Sequence, residues 1–172
     1  MARVTKTIEV DVPVRTAYNQ WTQFEEFPKF MEGVHEVHQL DDRRLHWRAE
    51  VGGKEEEWEA EIREQIPDEK IIWNSIGGKE NAGIVTFDTL GANKTRVHLE
   101  MSYDPEGFTE TVGDKLGFMS RRVEGDLERF KEFIESRGVE TGAYRETLDN
   151  PKAPGGHTMG EPEERRAMRD DV

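Results

Sequence analysis

Residues 96–138 read RVHLEMSYDPEGFTETVGDKLGFMSRRVEGDLERFKEFIESRG, and the spacing of their apolar residues changes partway along. Val97, Leu99, Met101 and Tyr103 alternate with Arg96, His98, Glu100 and Ser102, the period of a strand with one wet face. After Pro105-Glu106-Gly107 the spacing lengthens. Phe108, Val112, Leu116, Met119, Val123, Leu127, Phe130 and Ile134 follow in steps of three or four, which predicts one long helix with a single apolar stripe. Gly138 stands where a glycine commonly ends a helix.

Upstream of this stretch the chain is mostly strand. Leu45, Trp47, Ala49 and Val51 alternate with polar neighbours, Gly52-Gly53 signals a hairpin, and Trp58, Ala60 and Ile62 return. Glu55, Glu57, Glu59 and Glu61 then share the solvated face of that returning strand. Ile71, Trp73 and Ser75 share a face of the next strand. Gly77-Gly78 is expected to turn the chain toward a strand marked by Val85 and Phe87, and Gly91-Ala92-Asn93 to turn it again. Near the start, Val4, Ile8, Val10 and Val12 form one side of a first strand. Pro13 then opens a helix with the stripe Val14, Ala17, Tyr18 and Trp21, and a second short helical piece covers Phe24–Met31. One strand, two short helices, a run of antiparallel strands and a long terminal helix make an α+β fold.

The 172 residues hold 37 acidic and 24 basic side chains, a net charge of −13. Such a surface repels polyanions, so no nucleic acid is expected as a partner. Without cysteine there are no disulfides, thiolate nucleophiles or sulfur-ligated zinc sites. Neither a signal core nor a transmembrane segment is found, and a cytoplasmic protein is expected. Residues 139–172 are rich in Gly, Pro and charge with no apolar period, and are expected to form an acidic, disordered tail behind a ligand-binding domain at residues 1–138. Within that tail, Val139 to Leu148, with Tyr144, is the part able to dock on the domain.

The chain resembles the SRPBCC superfamily, also called START-like or helix-grip, and within it the bacterial polyketide cyclase/dehydrase-type proteins. The resemblance rests on Ile8-Glu9-Val10-Asp11-Val12-Pro13-Val14 and on the segment from Trp21-Thr22-Gln23-Phe24 to Pro28-Lys29-Phe30-Met31. It continues through Trp58-Glu59-Ala60-Glu61-Ile62, Ala82-Gly83-Ile84-Val85-Thr86-Phe87 and Asp126-Leu127-Glu128-Arg129-Phe130-Lys131. It implies a seven-stranded curved antiparallel sheet wrapped on the long C-terminal helix, with two short helices after strand 1 and a hydrophobic cavity between sheet and helix. The wide side chains inferred to face inward are Trp47, Trp58, Trp73, Phe87, Met101, Tyr103, Phe118 and Met119, and they are the expected ligand-binding residues.

The polar residues assemble no catalytic constellation. Tyr103 and Ser75 fall on the apolar parity of their strands, whereas Arg48, Glu50 and His98 fall on the wet one. His35 and His38, three apart in a strand, are expected on opposite faces, and no metal-ligand spacing or phosphate loop is present. Neither metal nor cofactor is expected. Arg121-Arg122 could meet an acidic ligand group at the pocket mouth or pair with acids of their own helix. The function implied is binding or transport of a hydrophobic small molecule, such as a lipid, quinone, isoprenoid or polyketide. The alternative is a polyketide cyclase or dehydratase using the same cavity for aldol cyclisation or dehydration, with Tyr103 or a neighbour handling protons. The sequence leaves catalysis and oligomeric state open.

Overall fold

A seven-stranded antiparallel sheet runs in the order β1-β7-β6-β5-β4-β3-β2. The computed structural model describes residues 2–78, 80–104 and 115–149, with backbone alone at 115 and 116. The strands are β1 (Ala2–Val10), β2 (Val34–Gln39), β3 (Arg44–Val51), β4 (Lys54–Ile66), β5 (Lys70–Gly78), β6 (Asn81–Gly91) and β7 (Lys94–Tyr103). The helices are α1 (Val14–Trp21), a 3-10 helix (Phe24–Lys29) and α2 (Lys115–Arg137). Because β1 pairs with β7 and β2 with β3, the first two strands occupy opposite edges. The two short helices carry the chain from one edge to the other. This is the helix-grip arrangement, a curled half-barrel with the C-terminal helix and short helices after strand 1.

Register shifts fall between Val34 and Glu36, Glu59 and Ala60, Ile62 and Glu64, and Thr89 and Gly91. An extra residue on one strand bends it and increases its twist, which is how the sheet curls. Gly52 and Gly53, with φ of 60° and 84°, form the tight β3–β4 turn that their pairing predicts. Gly77-Gly78 departs from expectation. Both residues lie within β5, where they pair with Glu59 and Trp58, so the chain turns only after them.

Alternation places Val97, Leu99 and Tyr103 of β7 inward and buried, with Val4 and Val10 of β1 beside them. The stripe Met119, Val123, Leu127, Phe130 and Ile134 buries one face of α2 against this concave side. Phe108 and Val112, read as the start of that stripe, lie outside the described residues. Aromatic rings from the short helices fill the space between: Trp21 meets Phe130 at 5.0 Å and 68°, and Phe30 meets Phe130 at 5.4 Å and 64°. These edge-to-face contacts add to the burial of wide apolar surfaces.

Residues 139–149 run back over α1 and the C-terminal end of β4. Gln65 and Leu148 exchange backbone hydrogen bonds of 2.8 and 2.9 Å, and Leu148 is buried. The segment also satisfies three polar residues of the α1 end that are buried. Asn19 donates to Glu140 and accepts from Arg145, Gln20 exchanges bonds with Thr141, and the Thr22 hydroxyl oxygen accepts the Tyr144 N–H. Buried polar groups need such partners, since an orphaned one costs roughly 1–3 kcal/mol. Residues 150–172 of the expected tail lie outside the described residues.

Candidate functional site

Between the concave face of the sheet and α2 lies a cavity of about 140 Å³. Its sheet wall is Leu45, Trp47, Ala49 and Val51 of β3, Trp58 and Ile62 of β4, Ile71 and Trp73 of β5, and Leu99, Met101 and Tyr103 of β7. The helix wall is Met119, Val123 and Leu127 of α2. Trp21, Phe24, Phe27 and Met31 close a third side. The chain has four tryptophans, and all four line this cavity. Trp47 and Trp58 are cross-strand partners whose rings stack at 5.6 Å and 10°. Trp73 leans over its cross-strand partner Gly83, where a Cβ would sit 2.4 Å from the indole Cζ2. The missing side chain of Gly83 therefore makes room for the ring.

Of the eight side chains expected in the pocket, Trp47, Trp58, Trp73, Met101, Tyr103 and Met119 line the cavity. Phe87 points inward as its parity predicts, but α1 covers that part of the sheet. Its ring packs against Tyr18 at 5.5 Å and Trp21 at 6.3 Å. Phe118 precedes Met119 by about 100° of helical rotation and packs half-buried on the core away from the cavity. Among the wall residues outside that expected set, Trp21, Phe24, Phe27 and Met31 come from the segment of short helices after β1. Their apolar clustering around Pro28 was visible in the sequence as helix-stripe residues, without any sign that they face a space.

Polar groups on the wall are few: Glu80, Asn81 and Asp104 near the start of β6 and end of β7, and Arg122 and Asp126 on α2. Arg122 reaches across from α2 to the backbone of the neighbouring turn and strand. It donates to the Glu50 carbonyl at 2.8 Å and to the Glu32 carbonyl, clasping the turn at Gly33 and the end of β3. Gly33 has φ of 78°, a conformation glycine adopts without strain. Asp126 Oδ1 accepts the Glu32 N–H at 2.9 Å and an Arg129 N–H at 2.5 Å, and Arg129 also donates to the Phe30 carbonyl. Burial pushes the Asp126 carboxyl above its usual value, opposed by the Glu32 N–H and by Arg129. Burial likewise lowers the Arg122 guanidinium, with Asp126 and Glu32 acting against it. The Ser75 hydroxyl, on the inward parity, accepts the Asn81 N–H at 3.0 Å across the β5–β6 connection.

The convex face carries the four histidines among the described residues. The bulge after Val34 breaks the alternation, so His35 and His38 are both exposed rather than on opposite faces. His35 meets Glu55, His38 meets Glu36, and His46 meets Glu57. His98 Nδ1 lies 2.7 Å from the Thr7 hydroxyl. Ligand atoms of His35, Glu50 and Glu55 fall within 4.8 Å of one another, all exposed, and Arg48 already takes Glu55 at 2.9 Å. Among the described residues no helix is long and apolar enough to cross a membrane.

Comparison with known proteins places this geometry. The chain is 56% identical over 146 residues to an uncharacterized 17.2 kDa protein of Streptomyces lincolnensis, covering 84% of this chain and 97% of that one. A START superfamily protein from Mycobacterium smegmatis superposes with a TM-score of 0.67 at 14% identity, covering 78% of this chain and 98% of the other. The Zhui aromatase/cyclase from Streptomyces sp. R1128 gives 0.65 at 15% identity, over 83% and 99%. At such identities these two structures speak to the fold. Residues 10–132 match the family described as polyketide cyclase / dehydrase and lipid transport. With more than half of its length matched, the chain belongs to the polyketide cyclase/dehydrase and lipid transport family.

Proposed function

We propose that this protein binds and carries a hydrophobic small molecule in the cavity between sheet and α2. The observation that carries the reading is the composition of the wall, where all four tryptophans of the chain meet Phe, Met, Leu and Ile side chains around an open space. A core that served only to stabilise the fold would be packed without such a space. An apolar cavity of ~150 Å³ stays dry and takes up benzene. The cavity of about 140 Å³ is thus sized for one ring or a branched isoprenoid unit, and the rest of a larger ligand would extend through the opening or part the walls. The ligands in view are lipids, quinones, isoprenoids and aromatic polyketides.

The position of the tryptophans supplies the assay. Protein purified from its own host is examined by native mass spectrometry and organic extraction, and the emptied protein is titrated with a quinone while tryptophan emission is followed. A stoichiometric apolar adduct and saturable quenching are expected. An empty protein, with no quenching and no thermal shift against lipids, quinones and aromatic polyketides, would overturn the reading.

Cyclisation or dehydration of a polyketide-like chain in the same cavity is the second reading. It is favoured by Asp126, a carboxyl on the cavity wall that burial raises above its usual value against the opposing Glu32 N–H and Arg129. Turnover of a poly-β-ketone by the wild type and its loss in Asp126→Asn, with ligand binding retained, would support it.

A further inference from the structure

We propose that residues 139–149 are a strap coupled to the cavity, holding its helical wall closed on a bound ligand and freeing that ligand when it lifts; this rests on the ligand-binding reading above. The wall concerned is Trp21 at the end of α1, with Phe24, Phe27 and Met31 after it. Trp21, Phe24 and Phe27 belong to helices of eight and six residues, too short to keep their shape without packing. All four lie outside the β ladders, so this side of the cavity can shift without breaking the sheet.

The strap grips this wall from behind, on both sides of Trp21. Before it, Asn19 donates to Glu140 at 2.7 Å and accepts from Arg145 at 2.6 Å, and Gln20 exchanges bonds of 3.0 and 2.9 Å with Thr141. After it, Thr22 Oγ1 accepts the Tyr144 N–H at 3.1 Å. Gly142 approaches Gln23 so closely that a Cβ would stand 2.5 Å from its Oε1. The far end of the strap is fixed to the sheet: Leu148 pairs with Gln65 of β4, and Arg145 Nη2 meets Asp68 in the β4–β5 turn at 2.8 Å. One segment therefore ties the helical wall to a corner of the sheet.

The same contact is suited to come apart. Of residues 139–149 only Leu148 is buried, so lifting the strap exposes little apolar surface. Its hold on α1 runs through amide, hydroxyl, carboxylate and guanidinium groups that water can also satisfy. A helix face built to stay covered is apolar, whereas Asn19, Gln20, Thr22 and Gln23 are polar. Segments held in this way open locally, well before the domain unfolds. If the docked strap favours the closed wall, and the closed wall retains the ligand, then the ligand favours the docked strap by the same factor.

The full-length protein is loaded with menadione or, should that not bind, with farnesol, and dissociation on rapid dilution is followed by tryptophan emission. Thr141→Val/Arg145→Met keeps side-chain bulk but removes the side-chain bonds to Gln20, Asn19 and Asp68, and should raise the dissociation rate at least about fivefold. Val4→Ala, in the buried part of β1 and off the cavity wall, controls for general loosening and should leave the rate within about twofold. In the wild type, saturating probe should slow hydrogen exchange at the Thr141, Tyr144 and Leu148 amides at least about threefold, and leave the β6–β7 turn at Gly91–Lys94 unchanged. That second measurement stands even if the double variant fails to fold. An unchanged dissociation rate in a folded double variant, a rise matched by Val4→Ala, or strap exchange indifferent to the probe would overturn the inference and leave the carrier reading standing. If no lipid, quinone, isoprenoid or aromatic polyketide binds, the carrier reading falls and takes this inference with it.

Discussion

Gly83→Ala is a one-methyl test of how the cavity wall is built. The added Cβ would stand 2.4 Å from Trp73 Cζ2 and 2.8 Å from Cε2 and Cη2, against an ordinary contact of 3.4–4 Å. The indole must therefore retreat by about 1 Å, and it is a stiff ring among other cavity side chains rather than a free side-chain end. Overpacking of this kind costs ~1–3 kcal/mol, while replacing a strand glycine by alanine returns ~0.5–1 kcal/mol through backbone entropy. The expected net loss is about 0.5–2 kcal/mol, or a few degrees in melting temperature for a domain of this size. Urea denaturation followed by far-ultraviolet circular dichroism measures the loss independently of the tryptophans. The native emission spectrum should change as Trp73 moves within the cavity. Trp73→Phe in the Gly83→Ala background should recover part of the stability lost by Gly83→Ala alone, relative to Trp73→Phe in the wild type, because the smaller ring no longer meets the methyl. A Gly83→Ala protein as stable as the wild type, with unchanged emission, would refute the placement of Trp73 over β6.

Leu148→Ala should cost about 2 kcal/mol, the lower end for a buried leucine because the residue lies at the domain's margin, read from the urea midpoint. An unchanged midpoint would show that residues 139–149 do not hold to the domain in solution. Arg145→Ala removes a 2.6 Å bond to Asn19, a 2.8 Å ion pair with Asp68 and the cation over the Tyr18 ring, and should cost ~1–3 kcal/mol by the same assay. Asp126 gives a pH-dependent prediction. Its folded carboxyl lies above the ordinary 3.8, so the folded state holds the proton more tightly and the stability it lends is lost as pH rises through the folded value. Asp126→Asn removes that loss, and the stability difference, variant minus wild type, should move in the variant's favour between acid and neutral pH. Movement in the opposite direction would mean that the Arg129 pair outweighs burial.

Much of the site was legible because strands have period two. The parity of β3, β4, β5 and β7 assigns Trp47, Trp58, Trp73, Met101 and Tyr103 to the inner face, and the structure puts all five on the cavity. Parity says nothing about what lies above the strand, and Phe87 shows the limit. It faces inward correctly and meets α1 instead of a space. A bulge resets the count without leaving a mark in the sequence: after Arg63 the inward position passes to Gln65, which becomes 1% exposed, and after Val34 both histidines emerge on the same side. The segment 139–149 escaped a reading by apolar periodicity because it holds to the domain mostly through hydrogen bonds to Asn19, Gln20, Thr22 and Gln65. Such complementarity between distant polar residues has no period.

The pairing of β1 with β7 has a consequence for how the molecule comes into being. Ala2 lies opposite Tyr103 and Val10 opposite Thr95, so the first strand synthesised waits for the last before it has a neighbour. At ~5–20 residues per second on the ribosome, that interval is roughly 5–20 s. The hairpins from β2 to β7 can zip in order as they emerge, since each pairs with the strand just before it. Closing β1 onto β7 fixes a loop spanning most of the domain, a step whose entropy must be met before its contacts form. Edge docking of β1, with the α2 that packs against it, is therefore the strand pairing that joins the most distant parts of the chain.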